Sequence, residues 1–364
     1  MATAADFPFT GKIVEIPSTS TIADALQTLT QNGILSAPVF DEKTKFVSPP
    51  LPCTSGLTPP LPPTCRKYLG FFDISDVLAV VYGVDLLRHL FPISQLRERT
   101  VDIHGIKLDL SYSEDAQGVD LPVSKMMQVD GRVAPWWPVQ PQSSLVDVVK
   151  RLAAKVDAPW SSCRRVPVID PKTGRVVKVI SQSEIVNRVY NNVVKSEGLQ
   201  PMFIETPRTH KIGLCQVLCV NGEKDTARRA FEIIINNRVS AVPVIDSTGK
   251  LVASITNKDI FLLNRMQKTE PKVDELPALE FVKKAGDFAQ ASGLTRQDVA
   301  SVSVDEPIHL VIQHLAEKKT HRVFILDDPS KPPVGVISVS DVVKLILDEG
   351  LPWPKDILVK HMAD

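Results

Sequence analysis

Val242-Pro243-Val244-Ile245-Asp246, closed a few residues later by Ile255-Thr256-Asn257-Lys258-Asp259, decides the fold, because the chain carries this pattern four times. The first element recurs as Ala37-Pro38-Val39-Phe40-Asp41, Val166-Pro167-Val168-Ile169-Asp170 and Val323-Phe324-Ile325-Leu326-Asp327. The second recurs as Phe72-Asp73-Ile74-Ser75-Asp76, Ile180-Ser181-Gln182-Ser183-Glu184 and Ile337-Ser338-Val339-Ser340-Asp341. Ahead of each strand lies an apolar set at i, i+3, i+4, i+7, one face of a helix. The sets are Ile22, Ala25, Leu26, Leu29; Leu145, Val148, Val149, Leu152; Ala227, Ala230, Phe231, Ile234; and Ile308, Val311, Ile312, Leu315. Pro38, Pro243 and Phe324 each lie 16 residues after the first apolar residue of their set, and Pro167 lies 22 after Leu145. The second copy therefore carries a short insertion near Pro159-Trp160-Ser161-Ser162. A repeat of this length is one supersecondary unit used several times.

Each copy reads strand–helix–strand–strand–helix, an α/β unit. In copy three, Val217 to Val220 reads as the first strand and about Asp225 to Asn236 as the helix. Asp246-Ser247-Thr248-Gly249 is the hairpin turn, and a closing helix starts near Lys258. Copy two turns at Asp170 to Gly174. Copy one instead carries seven prolines between Pro49 and Pro63, which excludes helix and ladder pairing there. This insert, residues 44–66, reads as an extended solvated spacer, although Pro60-Leu61-Pro62-Pro63 also fits the loose PxxP form. The copies are placed at 10–85, 121–195, 211–267 and 299–350. Copies one and two form one module, and copies three and four another. Leu294 to Asp298 reads as a helix start, and Trp136 and Trp137 as burial against a linker or a partner surface.

Of 364 residues, 42 are basic and 42 acidic, a balance that disfavours a nucleic-acid-coating role but allows a local basic pocket. The apolar runs are strand-sized, so no membrane-spanning helix is predicted. The N-terminal stretch lacks the basic start and apolar core of a signal peptide. Five dispersed cysteines fit a reducing compartment. Cys215 and Cys219 have no second pair or histidine cluster to complete a metal site, and Asn221-Gly222-Glu223-Lys224 is not a phosphate loop. Catalysis has no constellation to rest on.

The repeated strand with its terminal Asp and the S/T-x-S/T-D or T-x-x-D motif resemble the CBS (cystathionine β-synthase-type) domain. Asn237 to Asp246, Thr320 to Val323 and Gly335 to Asp341 match best. CBS pairs form Bateman modules. Four copies with no further domain resemble the γ subunits of the AMP-activated and sucrose-nonfermenting protein kinases, which implies two modules in a pseudo-symmetric disc.

The carboxylates Asp76, Glu184, Asp259 and Asp341 invite two readings. An ionised Asp at a helix start can accept both hydroxyls of a ribose. It can equally complete a helix cap, with the hydroxyls of Ser338 and Ser340 beside Asp341. The resemblance implies the ribose role, with Thr256, Ser338 and Ser340 beside it. Ahead of the central strands stand Leu35-Ser36, Arg164-Arg165, Ser240-Ala241 and His321-Arg322. Paired arginines at a strand edge suit phosphate binding, or a salt bridge. The resemblance implies that Arg164, Arg165, His321 and Arg322 face phosphates at the centre of the ring, and extends this to Arg238. Copy one departs at Leu35 and at Asp73, whose charge would repel a phosphate; copy two departs at Glu184. The best sites are expected at Asp259 and Asp341.

These readings imply an adenine-nucleotide-sensing regulatory subunit without chemistry of its own. It would bind AMP, ADP or ATP, partner a kinase catalytic α subunit and a β scaffold subunit, and use neither nucleic acid nor membrane. The expected location is cytoplasmic, with the nucleus as a second compartment. A regulator of a non-kinase enzyme or transporter through an adenosyl ligand, and a scaffold with decayed sites, remain as alternatives.

Overall fold

The four amphipathic helices form where the apolar spacing predicts them, at Ile22–Gln31, Leu145–Ala153, Ala227–Asn236 and Ile308–Glu317. Thr21, Ser144 and Thr226 cap the first three, each side-chain oxygen accepting the backbone N–H three residues on. Such a cap is worth about 1 kcal/mol. The fourth helix follows Pro307, whose side chain can offer no cap. The computed structural model describes residues 2–9, 11–46, 65–82, 100–103, 106–109, 123–127, 136–154, 163–194, 201–267, 270 and 272–348. The proline-rich stretch Val47 to Thr64 and the copy-two insertion near Pro159 lie outside the described residues.

Copies one, three and four each hold a three-stranded sheet. Its central strand pairs parallel with the strand before the helix and antiparallel with the strand after it. The central strands are Ser36–Phe46, Ala241–Ile245 and Arg322–Leu326, and the strands after them are Cys65–Asp73, Leu251–Thr256 and Gly335–Ser338. Copy two pairs Arg165–Ile169 with Val176–Ser181, and a parallel bridge from Val139 to Val168 stands where the other copies have a first strand. The closing helices are Ile74–Tyr82, Gln182–Val189, Asp259–Met266 and Val339–Asp348. In copy one the hairpin stays paired down to Phe46 and Cys65, the base of the insert.

Two expectations are corrected. The first strand of copy three is only Val220–Asn221. Nor does a helix start at Leu294. A 14-residue helix, Ala278–Ala291, precedes it and ends at Gly293, which takes the left-handed conformation with φ 66°. Pro277 at its start and Gly293 past its end are ordinary helix punctuation. Residues 294–300 then enter copy four without regular structure.

The sheets meet within each half and the helices meet between halves. Trp136 stacks on Tyr68 with ring centroids 5.0 Å apart and also packs on Phe71, so the tryptophan at the entrance to copy two is seated on copy one. In the other half, the segment around Leu214 bridges to Gly335 on the edge strand of copy four. A side chain on Gly335 would strike the Gly213 carbonyl, so only glycine allows this approach. Helix Ile74–Tyr82 of copy one packs on Ala227–Asn236 of copy three. Val339–Asp348 of copy four packs on Leu145–Ala153 and Gln182–Val189 of copy two. Two cores result, one built from copies one and three around Phe72, Leu78 and Phe231, the other from copies two and four around Leu145, Val186 and Ile312. The expected pairing of copies one with two and three with four holds for the sheets, while each apolar core is shared across the halves.

Candidate nucleotide site at the helix starts

Register makes the four copies comparable atom by atom. The residue at the start of each central strand faces the last residue before the turn into the closing helix: Ser36 opposite Asp73, Arg165 opposite Ser181, Ala241 opposite Thr256, and Arg322 opposite Ser338. Three residues past each of these last residues stands the repeated carboxylate. It accepts that residue's backbone N–H every time: Asp73 to Asp76 at 2.8 Å, Ser181 to Glu184 at 2.7 Å, Thr256 to Asp259 at 2.7 Å, Ser338 to Asp341 at 2.8 Å. Where that residue has a hydroxyl, it donates to the same carboxylate oxygen. In copies two and four the hydroxyl also accepts the N–H of the carboxylate residue, which completes a capping box, whereas the copy-three helix starts at Asp259 itself without a side-chain cap.

Capping leaves one oxygen of the copy-four carboxylate unused. At Asp341, Oδ2 takes both bonds from Ser338, and Oδ1 accepts none among the described residues. A capping carboxylate with an unused oxygen can still bind a diol. The cap hydroxyl in copy four is Ser338, not Ser340. Ser340 Oγ instead donates to Gln182 Oε1 of copy two at 2.9 Å, and Gln182 donates onward to the Leu152 carbonyl. Copies three and one are joined in the same region by Asn257 Nδ2 donating to Ser75 Oγ at 3.3 Å.

The basic residues converge, and repel one another. Arg322 donates through Nη2 to Ser240 Oγ of copy three at 2.6 Å, while its Nη1 is buried with no hydrogen-bond partner among the described residues. Burial, then the charge of Arg164, pushes the Arg322 guanidinium down to about 9. His321 is pushed down to about 3 by burial and by Lys258, Arg322, Arg165 and Arg164, so it is neutral at physiological pH. Lys258 is lowered by burial and by Arg322, with Asp259 acting the other way. Arg165 is lowered by burial, against the pull of Asp73. Asp73 does not stand as an isolated repulsive charge. It pairs with Arg165 at 3.1 Å across the copy-one to copy-two boundary, which both neutralises it and occupies that guanidinium.

Asp259, only 3% exposed, is engaged differently from Asp341. Arg296 donates from Nε to Oδ1 at 2.9 Å and from Nη2 to Oδ2 at 3.3 Å, and also to the Ser254 carbonyl at 2.6 Å. Arg238 is exposed on the left-handed turn, φ 56°, between helix and strand of copy three; Gly33 and Lys319 occupy the matching turns of copies one and four.

Sequence reasoning missed Lys258 and Arg296. Lys258 was findable, because the other copies carry Ser75, Ser183 and Ser340 at that place. Arg296 had no signal: it lies 37 residues from Asp259 in an irregular segment. Among the described residues no cluster of three His, Cys, Asp or Glu could hold a metal, and no helix is long and apolar enough to cross a membrane.

Residues 215–263 and 291–348 match the family model of the CBS domain. The chain is 22% identical over 337 residues to the 5'-AMP-activated protein kinase subunit gamma-3 of Homo sapiens, covering 92% of this chain and 57% of that protein. It is 20% identical over 347 residues to the 5'-AMP-activated protein kinase subunit gamma of Dictyostelium discoideum, covering 94% and 50%. The chain spans about half the length of the curated relatives it matches. In fold it is similar to the crystal structure of protein MJ1225 from Methanocaldococcus jannaschii, with a TM-score of 0.60, 14% identity, and 95% and 100% of the two chains covered.

Proposed function

We propose that this CBS-domain protein, which resembles the γ subunits of AMP-activated protein kinase, is an adenine-nucleotide-binding regulatory subunit of a Ser/Thr protein kinase complex. The observation that carries the reading is the buried Nη1 of Arg322, without a hydrogen-bond partner among the described residues, beside the charges of Arg164 and Lys258. A buried donor without an acceptor costs about 1–3 kcal/mol, and a phosphate would satisfy it. Lys258, Arg164 and His321 stand beside it from copies three, two and four, while Arg165 is engaged by Asp73. Asp341 Oδ1 supplies the acceptor for ribose hydroxyls. AMP, ADP and ATP fit this pairing of diol acceptor and phosphate donors. The similarity to γ subunits supports a catalytic α subunit and a β scaffold as partners. Regulation then requires that each nucleotide favour one state of the ring over another.

Titration calorimetry with AMP and ATP is the test. Losing a charge-assisted contact in a closed site costs about 1.5–3 kcal/mol, roughly 10- to 150-fold in affinity. Arg322→Ala should weaken AMP and ATP by that factor and adenosine much less, and Asp341→Ala should weaken all three. Co-purification with kinase α and β subunits tests the partners. No nucleotide binding in the millimolar range would leave the scaffold reading, which the internal pairs Arg165–Asp73 and Arg296–Asp259 favour.

A further inference from the structure

Asp259 and Asp341 occupy the same place in copies three and four, yet one is closed and the other open. Asp341 accepts through Oδ2 alone among the described residues. Asp259 uses both oxygens, with Thr256 and Arg296 sharing Oδ2 and Arg296 also holding Oδ1. The pair is secluded, with side-chain exposures of 12% for Arg296 and 5% for Asp259. A guanidinium presents two N–H groups side by side, as a vicinal diol presents two O–H groups, and a carboxylate receives either as a fork.

The other half shows a comparable covering by different positions. There the residues entering copy two lay Trp136 over Tyr68 and Phe71, on the strand that ends at the Asp73 cap. Here the residues entering copy four lay Arg296 over Ser254, on the strand that ends at Thr256. In both halves the second copy's entry segment covers the first copy's last strand with a large side chain. Residues 294–300 hold no helix or strand, and Gln297 secures them by donating to the Lys319 carbonyl at 2.8 Å.

We infer that Arg296 is a built-in occupant of the copy-three site, standing where a ligand's vicinal diol would sit and withholding Asp259 from nucleosides. The inference rests on the nucleotide reading above, and gives it a stoichiometry: Asp341 serves a site that Asp259 does not.

The test counts AMP equivalents by calorimetry on the full chain, with thermal melts to verify folding. Wild type binds through Asp341, and Asp259→Ala leaves its stoichiometry unchanged. Arg296→Ala gains one equivalent, which disappears in Arg296→Ala/Asp259→Ala. Arg296→Lys keeps a counter-charge beside the buried carboxylate, guarding against misfolding, but cannot form the fork; it gains the same equivalent with weaker affinity. The inference is overturned if folded Arg296→Ala and Arg296→Lys bind no more AMP than wild type, or if Asp259→Ala lowers the wild-type stoichiometry. Wild type binding no AMP while Arg296→Ala binds one through Asp259 sustains the closure and removes the copy-four reading. No binding by any variant removes both.

Discussion

Replacing Arg322 by Met should make the ligand-free protein more stable while destroying its anion site. On the favourable side, Arg322 contributes one hydrogen bond, to Ser240 at 2.6 Å, worth about 1.5–3 kcal/mol for a charged donor. Against this stand the unpaired Nη1, at about 1–3 kcal/mol, and the desolvated charge facing Arg164. The fall of the guanidinium to about 9 marks that second cost as several kcal/mol in order of magnitude. Met keeps an apolar stem of similar length without the charge. The balance is a gain of about 1–3 kcal/mol, or roughly 2–5 °C in Tm for a chain of this size. A cation whose folded value lies below its unfolded one penalises the native state at every pH below about 9, and the penalty fades only as pH rises through 9. The gain should therefore be constant between pH 6 and 8. Differential scanning calorimetry without anions measures it. Inorganic phosphate should raise the wild-type Tm and leave Arg322→Met unchanged. A variant that melts below wild type in the absence of anions would show Arg322 to be a structural strut, and the reasoning from its unpaired donor would fail.

Three further outcomes are expected. A bound phosphate offsets the burial and the repulsion by Lys258 and Arg322 that hold His321 near 3, so its value rises on binding and protons are taken up. ATP affinity should then increase from pH 7 to 5.5, and binding enthalpies should differ between buffers of different ionisation heat; identical enthalpies would count against it. Ser338→Ala should cost about 1 kcal/mol as a lost cap, whereas Ser340→Ala should couple to Gln182→Ala by about 0.5–1.5 kcal/mol in a double-mutant cycle of urea unfolding, with additivity the contrary result. Replacing residues 47–64 by Asn-Gly should close the hairpin already paired at Phe46 and Cys65. A Tm drop of about 5 °C or more, corresponding to roughly 3 kcal/mol or more, would contradict this.

The helices and hairpins were legible because they rest on local periodicity and turn residues. Leu145, Val148, Val149 and Leu152 are buried, as their spacing requires, and Gly174 and Gly249 take positive φ in the predicted turns. What escaped was non-local. Nothing in Ile74-Ser75-Asp76 says that its helix will pack on copy three rather than on copy two, because an apolar stripe does not name its partner. The site divided the same way. The capping carboxylates were visible as a motif, and Arg164, Arg165, His321 and Arg322 as an anomaly at a strand edge. The pairs Arg165–Asp73 and Arg296–Asp259 join residues far apart in sequence, and only the folded chain brings them together.

The sharing of each core between distant copies governs how the chain can be made. When copies one and two leave the ribosome, Ile74, Leu78, Leu145 and Val186 have no opposite face, because Phe231, Ile312 and Val342 belong to chain not yet synthesised. At about 5–20 residues per second that interval lasts roughly 10–30 s, far longer than hydrophobic collapse. The core faces of the first half therefore stay uncovered until the second half has been made. The two halves, expressed as separate polypeptides, become a natural complementation pair, each unfinished without the other.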